Sequence, residues 1–268
     1  VVADEAHRCT GKVDSEFTTI LDNQKIKAKR RLFATATPRT YSGSLKKKAE
    51  EKGVEVASMD DAEVFGREFY TLNFGKAIEL GELTDYQVII AGVDNVMVAE
   101  WIKNRELVET DSGYSTNAES LAAQIGLIKI IKKYDLKRMI SFHSRIKRAE
   151  MFASDIQNAI EFVDEEYRPS GSIWTDFVSG EMNAHKRRIK LEQLKELTKG
   201  TRALLSNAQC LSEGVDVPSL DGVAFIDPRK SQVDIVQAVG RAIRQSDEKK
   251  VGTIVLPVFL EDGETAAE

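Results

Sequence analysis

Cysteine is nearly absent, with Cys9 and Cys210 the only two in 268 residues. They lie far apart and lack partners at metal-ligand spacing. This argues against a disulfide framework or a zinc site and suits a reducing, cytoplasmic setting. No apolar run approaches the roughly 18 residues of a membrane span, and no secretory signal is visible. Positive charge is not in excess either. The net charge of −5 argues against a protein that coats nucleic acid through overall basicity, while leaving room for local basic tracks. Internal repeats and low-complexity tracts are missing. So is the pattern G-x-x-x-x-G-K-[ST], whose backbone amides and lysine hold the β- and γ-phosphates of a nucleotide. No segment within the chain replaces that loop.

What is present is a soluble globular composition, 42% hydrophobic and 30% charged, in a length that accommodates two domains. Basic clusters occur at Lys25 to Arg31, Lys46-Lys47-Lys48 and Lys186-Arg187-Arg188. Taken singly, each reads as solvated surface.

Apolar runs predict buried strands at Val1-Val2-Ala3, Arg31 to Thr37, Tyr86 to Val93, Arg138 to Phe142, Arg202 to Ser206, Gly222 to Ile226 and Gly252 to Leu256. Shorter strands are expected around Val54 to Val56 and within Gly171 to Val178. Helical spacing is expected at Ser15 to Leu21, in the lysine-rich part of Gly43 to Met59, and after the capping-box spacing of Thr116 to Glu119. Further helices follow Ser144 and cover Ala184 to Thr198 and Gln232 to Arg244. Strands alternating with helices predict an α/β fold with a parallel sheet wrapped on both faces.

Chemistry concentrates at the two ends. Asp4 and Glu5 sit just beyond an apolar strand, where α/β sheets bind ligands. Adjacent carboxylates can position a metal ion and orient an attacking water. An Asp-Glu pair alone is commonly a solvent-facing loop; the strand before it and His7 after it set this one apart. Near the other end, Arg241 and Arg244 are three positions apart and are expected on one helix face, with guanidinium groups suited to phosphate.

Asp4-Glu5-Ala6-His7 and Gln237-Ala238-Val239-Gly240-Arg241-Ala242-Ile243-Arg244 resemble motifs II and VI of the superfamily 2 helicases and translocases. Between them, Thr35-Ala36-Thr37-Pro38 resembles motif III and Ile140-Ser141-Phe142-His143-Ser144 resembles motif IV. Leu211-Ser212-Glu213-Gly214-Val215-Asp216-Val217-Pro218 resembles motif V. Val178-Ser179-Gly180-Glu181, followed by the basic cluster at Lys186, is similar to a backbone-contacting segment of related enzymes. Phe74 to Gly81 and Leu83 to Tyr86 look like the join in large bacterial and phage helicases, restriction-associated translocases included.

The resemblance implies a partial RecA-like domain at residues 1–82 and a complete second one at 83–268, with ATP bound between them. It makes Asp4 the magnesium-handling residue and Glu5 the catalytic base. It makes Arg241 and Arg244 catalytic, and adds Gly214, Asp216 and Gln237 to the nucleotide contacts. His7, Thr35 and Thr37 would couple nucleotide state to movement. Ser141, His143, Ser179, Gly180, Ser206 and Asn207 would contact nucleic acid, with DNA favoured over RNA and no membrane partner. The expected activity is ATP-driven unwinding or translocation. Its alternatives are a restriction-enzyme motor that moves on duplex DNA without unwinding it and a non-catalytic nucleic-acid-binding module. The missing first portion, with its phosphate loop, is expected to leave the chain alone a poor ATPase.

Overall fold

Short strands frame the beginning of the chain in the computed structural model, which describes residues 1–13, 15–94, 118–161, 163–208, 210, 220–228, 231–245 and 251–260. The chain divides into two units, Val1–Asn73 and Phe74–Glu268.

In the first unit, β1 (Val2–Ala3), β2 (Gly11–Lys12), β3 (Leu32–Phe33) and β4 (Val56–Ala57) each span two residues. β1 pairs with β3 in parallel, and β2 with β4 antiparallel. The strand expected over Arg31 to Thr37 therefore contracts to Leu32–Phe33. Past Phe33, Ala34 exchanges backbone bonds with Ala3 and Ala6, and the Thr35 hydroxyl turns to a side-chain partner instead of a ladder. The core is correspondingly small: Ala3, Ala6 and Cys9, against which Ile20, Leu21, Phe33, Met59 and Phe65 pack. Helix α1 (Gly43–Glu50) buries no residue, and α2 (Ala62–Phe65) is capped by Asp61, which accepts from the Glu63 amide at 2.9 Å.

The second unit opens with α3 (Phe74–Glu79) and β5 (Asp85–Asp94). There follow α4 (Ala118–Lys133), β6 (Arg138–His143), α5 (Ile146–Glu161), β7 (Ser172–Ser179), α6 (Ala184–Lys195) and β8 (Thr201–Ala208). The last elements are β9 (Gly222–Phe225), α7 (Gln232–Ala242) and β10 (Val251–Leu260). All six strands join one parallel sheet in the order β5-β10-β9-β6-β8-β7. This is an α/β unit of RecA-like type.

Period-two alternation divides the side chains between two cores. Met139, Leu204, Ala224 and Val255 pack with residues of α4 and α5, including Ile125, Ile128, Phe152 and Ile156. Their neighbours Ile140, Leu205, Val223 and Ile254 pack on the other core with Leu191 and Leu194 of α6 and Ala238, Val239 and Ala242 of α7. Both strand faces are thus covered, which explains why these strands read as continuous apolar runs. Gly252 lets β10 pass under the end of α7, since a Cβ there would stand 2.4 Å from the Ala242 carbonyl oxygen.

The amino ends of the strands are stapled by charge. Arg202, at the start of β8, donates to the Leu136 carbonyl (2.7 Å) and to Asp135 Oδ1 (2.5 Å). That guanidinium holds the Asp135 carboxyl below its ordinary range. Asp221 Oδ2 accepts from the amides of Lys137 (2.8 Å) and Arg138 (2.7 Å). The opposite, carboxyl ends carry the motifs.

Candidate nucleotide and nucleic-acid sites

In the first unit, β1 delivers the acidic pair. Asp4 is exposed, and its Oδ1 accepts from the Glu5 amide at 2.9 Å. Glu5 lies in the left-handed region at φ 50, ψ 43, an arrangement that costs a non-glycine residue about 1–2 kcal/mol. The left-handed step feeds a 3₁₀ turn over Ala6–Cys9, anchored where the Ala6 amide donates to the Ala34 carbonyl at 2.9 Å. His7 is buried in that turn. Its Nδ1 stands 3.0 Å from Thr35 Oγ1 and 3.4 Å from Glu5 Oε2. Thr35 Oγ1 also accepts from the Thr37 amide at 3.1 Å. The structure therefore links Glu5, His7, Thr35 and the Thr37 backbone. The Thr37 hydroxyl itself is buried and has no hydrogen-bond partner among the described residues.

Among the described residues, no group of three or more His, Cys, Asp or Glu could cage a metal ion. Magnesium in nucleotide sites needs only one or two carboxylates, with phosphates and water completing its shell. The exposed carboxylate of Asp4 fits that requirement.

At the carboxyl ends of the second sheet, several expected nucleic-acid contacts turn inward. Ser141, His143 and Ser206 are buried. The Ser141 hydroxyl lies 3.0 Å from His143 Nε2 and 3.1 Å from the Ser206 hydroxyl. The His143 ring packs on Phe152 with centroids 4.8 Å apart. Ser179 and Asn207 are buried too, and Asn207 Oδ1 lies 3.1 Å from Cys210 Sγ. These side chains are interior polar groups, and Ser141 bonds both His143 and Ser206. Gly180 is exposed, and its amide bonds the Ala208 carbonyl at 3.2 Å. Gly214 and Asp216 lie outside the described residues.

The arginines also part company. The helix expected to reach Arg244 ends at Ala242, because Ile243 leaves helical geometry at φ −104, ψ 6. Its carbonyl accepts from the Thr84 amide at 2.8 Å, and Arg244 forms an antiparallel bridge with Leu83. Arg244 is exposed off the helix, whereas Arg241 is buried in its last turn. Gln237 and Arg241, four apart within α7, share the helix face instead.

Sequence reading missed Asp227. It is buried after β9, where its Oδ2 accepts from the Ser144 amide at 2.7 Å and its Oδ1 meets Arg148 Nη1 at 2.8 Å. The available signal was an acid placed directly at the end of an apolar strand.

Residues 123–246 match the family described as the helicase conserved C-terminal domain. A probable helicase of African swine fever virus is 27% identical over 263 residues, covering 96% of this chain and 26% of the relative. Residues 123–246 thus carry the helicase C-terminal domain, and the chain as a whole is similar to superfamily 2 helicase cores. Among solved structures, the chain is similar to the ATP-dependent Type ISP restriction-modification enzyme LlaBIII bound to DNA. The two share 31% identity with a TM-score of 0.76, over 98% of this chain and 18% of that one. A fragment of a putative HsdR subunit of a type I restriction enzyme from Vibrio vulnificus YJ016 shares the fold. Its TM-score is 0.56 at 18% identity, over 90% of this chain and 46% of that one. The chain thus spans about a quarter of the length of its curated viral relative. No helix among the described residues is long and apolar enough to cross a membrane.

Proposed function

We propose that this chain is the motor part of an ATP-dependent nucleic-acid helicase or translocase, acting on DNA in preference to RNA. The observation that carries the reading is the chain of contacts from Glu5 through His7 to Thr35. A carboxylate placed to take a proton from water is there joined to a second backbone segment through a buried imidazole. A change in what Glu5 faces is then transmitted to Thr35 and Thr37, the requirement for coupling hydrolysis to movement.

In this reading Asp4 holds magnesium, which when bound neutralises phosphate charge. Glu5 orients and deprotonates the attacking water. Arg244, exposed beyond its helix, meets the γ-phosphoryl group, while the buried Arg241 and its face-mate Gln237 keep the end of α7 in place. Gly214 and Asp216 contact the nucleotide. Residues 1–82 and 83–268 act as the two domains of the motor, with a phosphate loop supplied from outside these 268 residues.

A polypeptide carrying these residues together with a phosphate loop tests the assignment through its nucleic-acid-stimulated ATPase. Glu5→Gln should bind ATP yet stall in hydrolysis. Arg244→Ala should cut turnover at least ~10²-fold while oligonucleotide affinity holds. Near-normal turnover in Arg244→Ala would remove the arginine from the chemistry.

The 31% identity to LlaBIII over 98% of the chain favours a second reading, translocation along duplex DNA without unwinding. Displacement of a triplex-forming strand without separation of the duplex would distinguish it from unwinding.

A further inference from the structure

The carboxyl edge of the second sheet exposes a different set of groups from those the motifs single out. With Ser141, His143 and Ser206 turned inward, the mouth of β6 presents Ser144, Arg145, Lys147 and Arg148, all exposed. One of them is aimed by a buried acid. Asp227, only 3% exposed, accepts through Oδ2 from the Ser144 amide (2.7 Å) and hydroxyl (2.8 Å). Its Oδ1 lies 2.8 Å from Nη1 of Arg148, in the first turn of α5. The carboxylate is itself fixed, because the Ile226 and Asp227 amides point to the Phe142 carbonyl at 3.2 and 3.4 Å.

Holding the ends of β6 and β9 together needs only the Asp227–Ser144 bonds. The bond to Arg148 does something else. It fixes one edge of a planar guanidinium whose side chain remains 42% exposed, leaving most of its five N–H donors for an outside acceptor. A guanidinium pre-oriented in this way suits an anionic oxygen such as a backbone phosphate, with Arg145 and Lys147 adding long-range attraction.

We propose that Arg148 contacts a backbone phosphate of bound nucleic acid and that Asp227 is the positioning residue that aims it. This assignment rests on the nucleic-acid reading given above. It has a sign that simple electrostatics does not. Replacing Asp227 by Asn removes a negative charge from a surface that meets a polyanion, so charge alone predicts tighter binding. Loss of positioning predicts weaker binding.

The test uses the 268-residue chain and a fluorescein-labelled oligodeoxynucleotide, single-stranded and duplex, titrated across a range of salt. Arg148→Gln should weaken binding about tenfold and reduce the slope of log affinity against log salt by about 0.7–0.9, the release of counterions at one phosphate. Asp227→Asn should weaken binding as well, and the double variant should be no worse than Arg148→Gln. Arg148→Lys should keep the slope while losing part of the affinity, since an ammonium carries the charge without the fork.

Thermal unfolding of each variant separates positioning from loss of fold. Should Asp227→Asn fail to fold, the two exposed-site variants at Arg148 decide. Binding by the unaltered chain with unchanged affinity and slope in Arg148→Gln would overturn the assignment, as would tighter binding by folded Asp227→Asn. Failure of the unaltered chain to bind either probe would overturn the nucleic-acid reading itself, and this assignment with it.

Discussion

The two units solve the same architectural problem with unequal means. In Val1–Asn73 the strands are two residues long, the core cluster is built on Ala3, Ala6 and Cys9, and α1 buries nothing. In Phe74–Glu268 six parallel strands carry a separate core on each face. Yet the first unit holds the contacting acid, histidine and threonine set, and the second keeps its comparable polar groups buried among apolar neighbours. Local bonding can define a polar constellation where packing is thin, whereas a deep core can bury polar groups only by pairing them.

The largest expected consequence is in stability. Leu205 is fully buried, and Leu205→Ala should cost about 2–5 kcal/mol, because a cavity remains where two layers had closed. Leu32 in β3 is 41% exposed, and Leu32→Ala should cost less than ~1 kcal/mol. Urea unfolding followed by circular dichroism measures the first. Hydrogen exchange resolved by segment measures both, with β6 and β8 protected orders of magnitude more strongly than β1 and β3. Equal protection in the two units would break the comparison.

The same contrast governs what could be read from sequence. The parallel sheet was legible because both faces of each strand are covered, which writes runs such as Ala203-Leu204-Leu205 into the chain. The strand over Arg31 to Thr37 was overread because its apolar start continues into residues committed to side-chain bonds. The contact of Ser141 with His143 was legible as well: two apart in a buried strand, they share a face and are placed to bond each other. The end of α7 was not legible, since nothing local stops a helix at Ala242. The pairing of Thr84 and Leu83 with Ile243 and Arg244 does so from about 160 positions away. Asp227 was missed because its partners, Ser144 and Arg148, are as distant in sequence as they are close in space.

A sharper, chemical form of the comparison uses one cysteine from each unit. Burial pushes the Cys210 thiol up to about 11, with Arg187 pulling weakly the other way. Burial also raises Cys9 above its ordinary value. A raised folded-state pKa means that ionisation opposes folding. The stability each thiol contributes is present below its ordinary value of 9.0 and is lost as pH rises; for Cys210 the window runs from 9.0 to about 11. Alkylation of the native chain by iodoacetamide should therefore be about 10²-fold slower at Cys210 than at a free thiol near pH 8, climbing about tenfold per pH unit toward 11. Cys9 should react through opening of its thin unit, in which the thiol regains ordinary acidity, so its rate should level off near 9. Two profiles that bend at the same pH would show that the units open alike.

The smallest effect tests where strain is held. Glu5 occupies left-handed backbone at φ 50 beside the carboxylate of Asp4, in the unit with the least packing to enforce it. Its conformation must then be maintained by the bonds on either side, from the Glu5 amide to Asp4 and from the Ala6 amide to Ala34. Glu5→Ala removes the carboxylate and keeps the strain, while Glu5→Gly removes both. Their difference isolates the backbone contribution. Glycine should be the more stable of the two by about 0.5–1 kcal/mol, after its greater freedom in the unfolded chain is set against the relief of the left-handed cost. Hydrogen exchange at the Ala6 and Ala34 amides reads this directly, because both close on the segment that Glu5 turns. Slower exchange in Glu5→Gly than in Glu5→Ala places the strain at the position proposed as the catalytic base, where a conformational cycle could draw on it. Faster exchange in the glycine variant would mean that the added freedom of glycine in the unfolded chain outweighs the relief of the left-handed cost, so that little strain is held at this position.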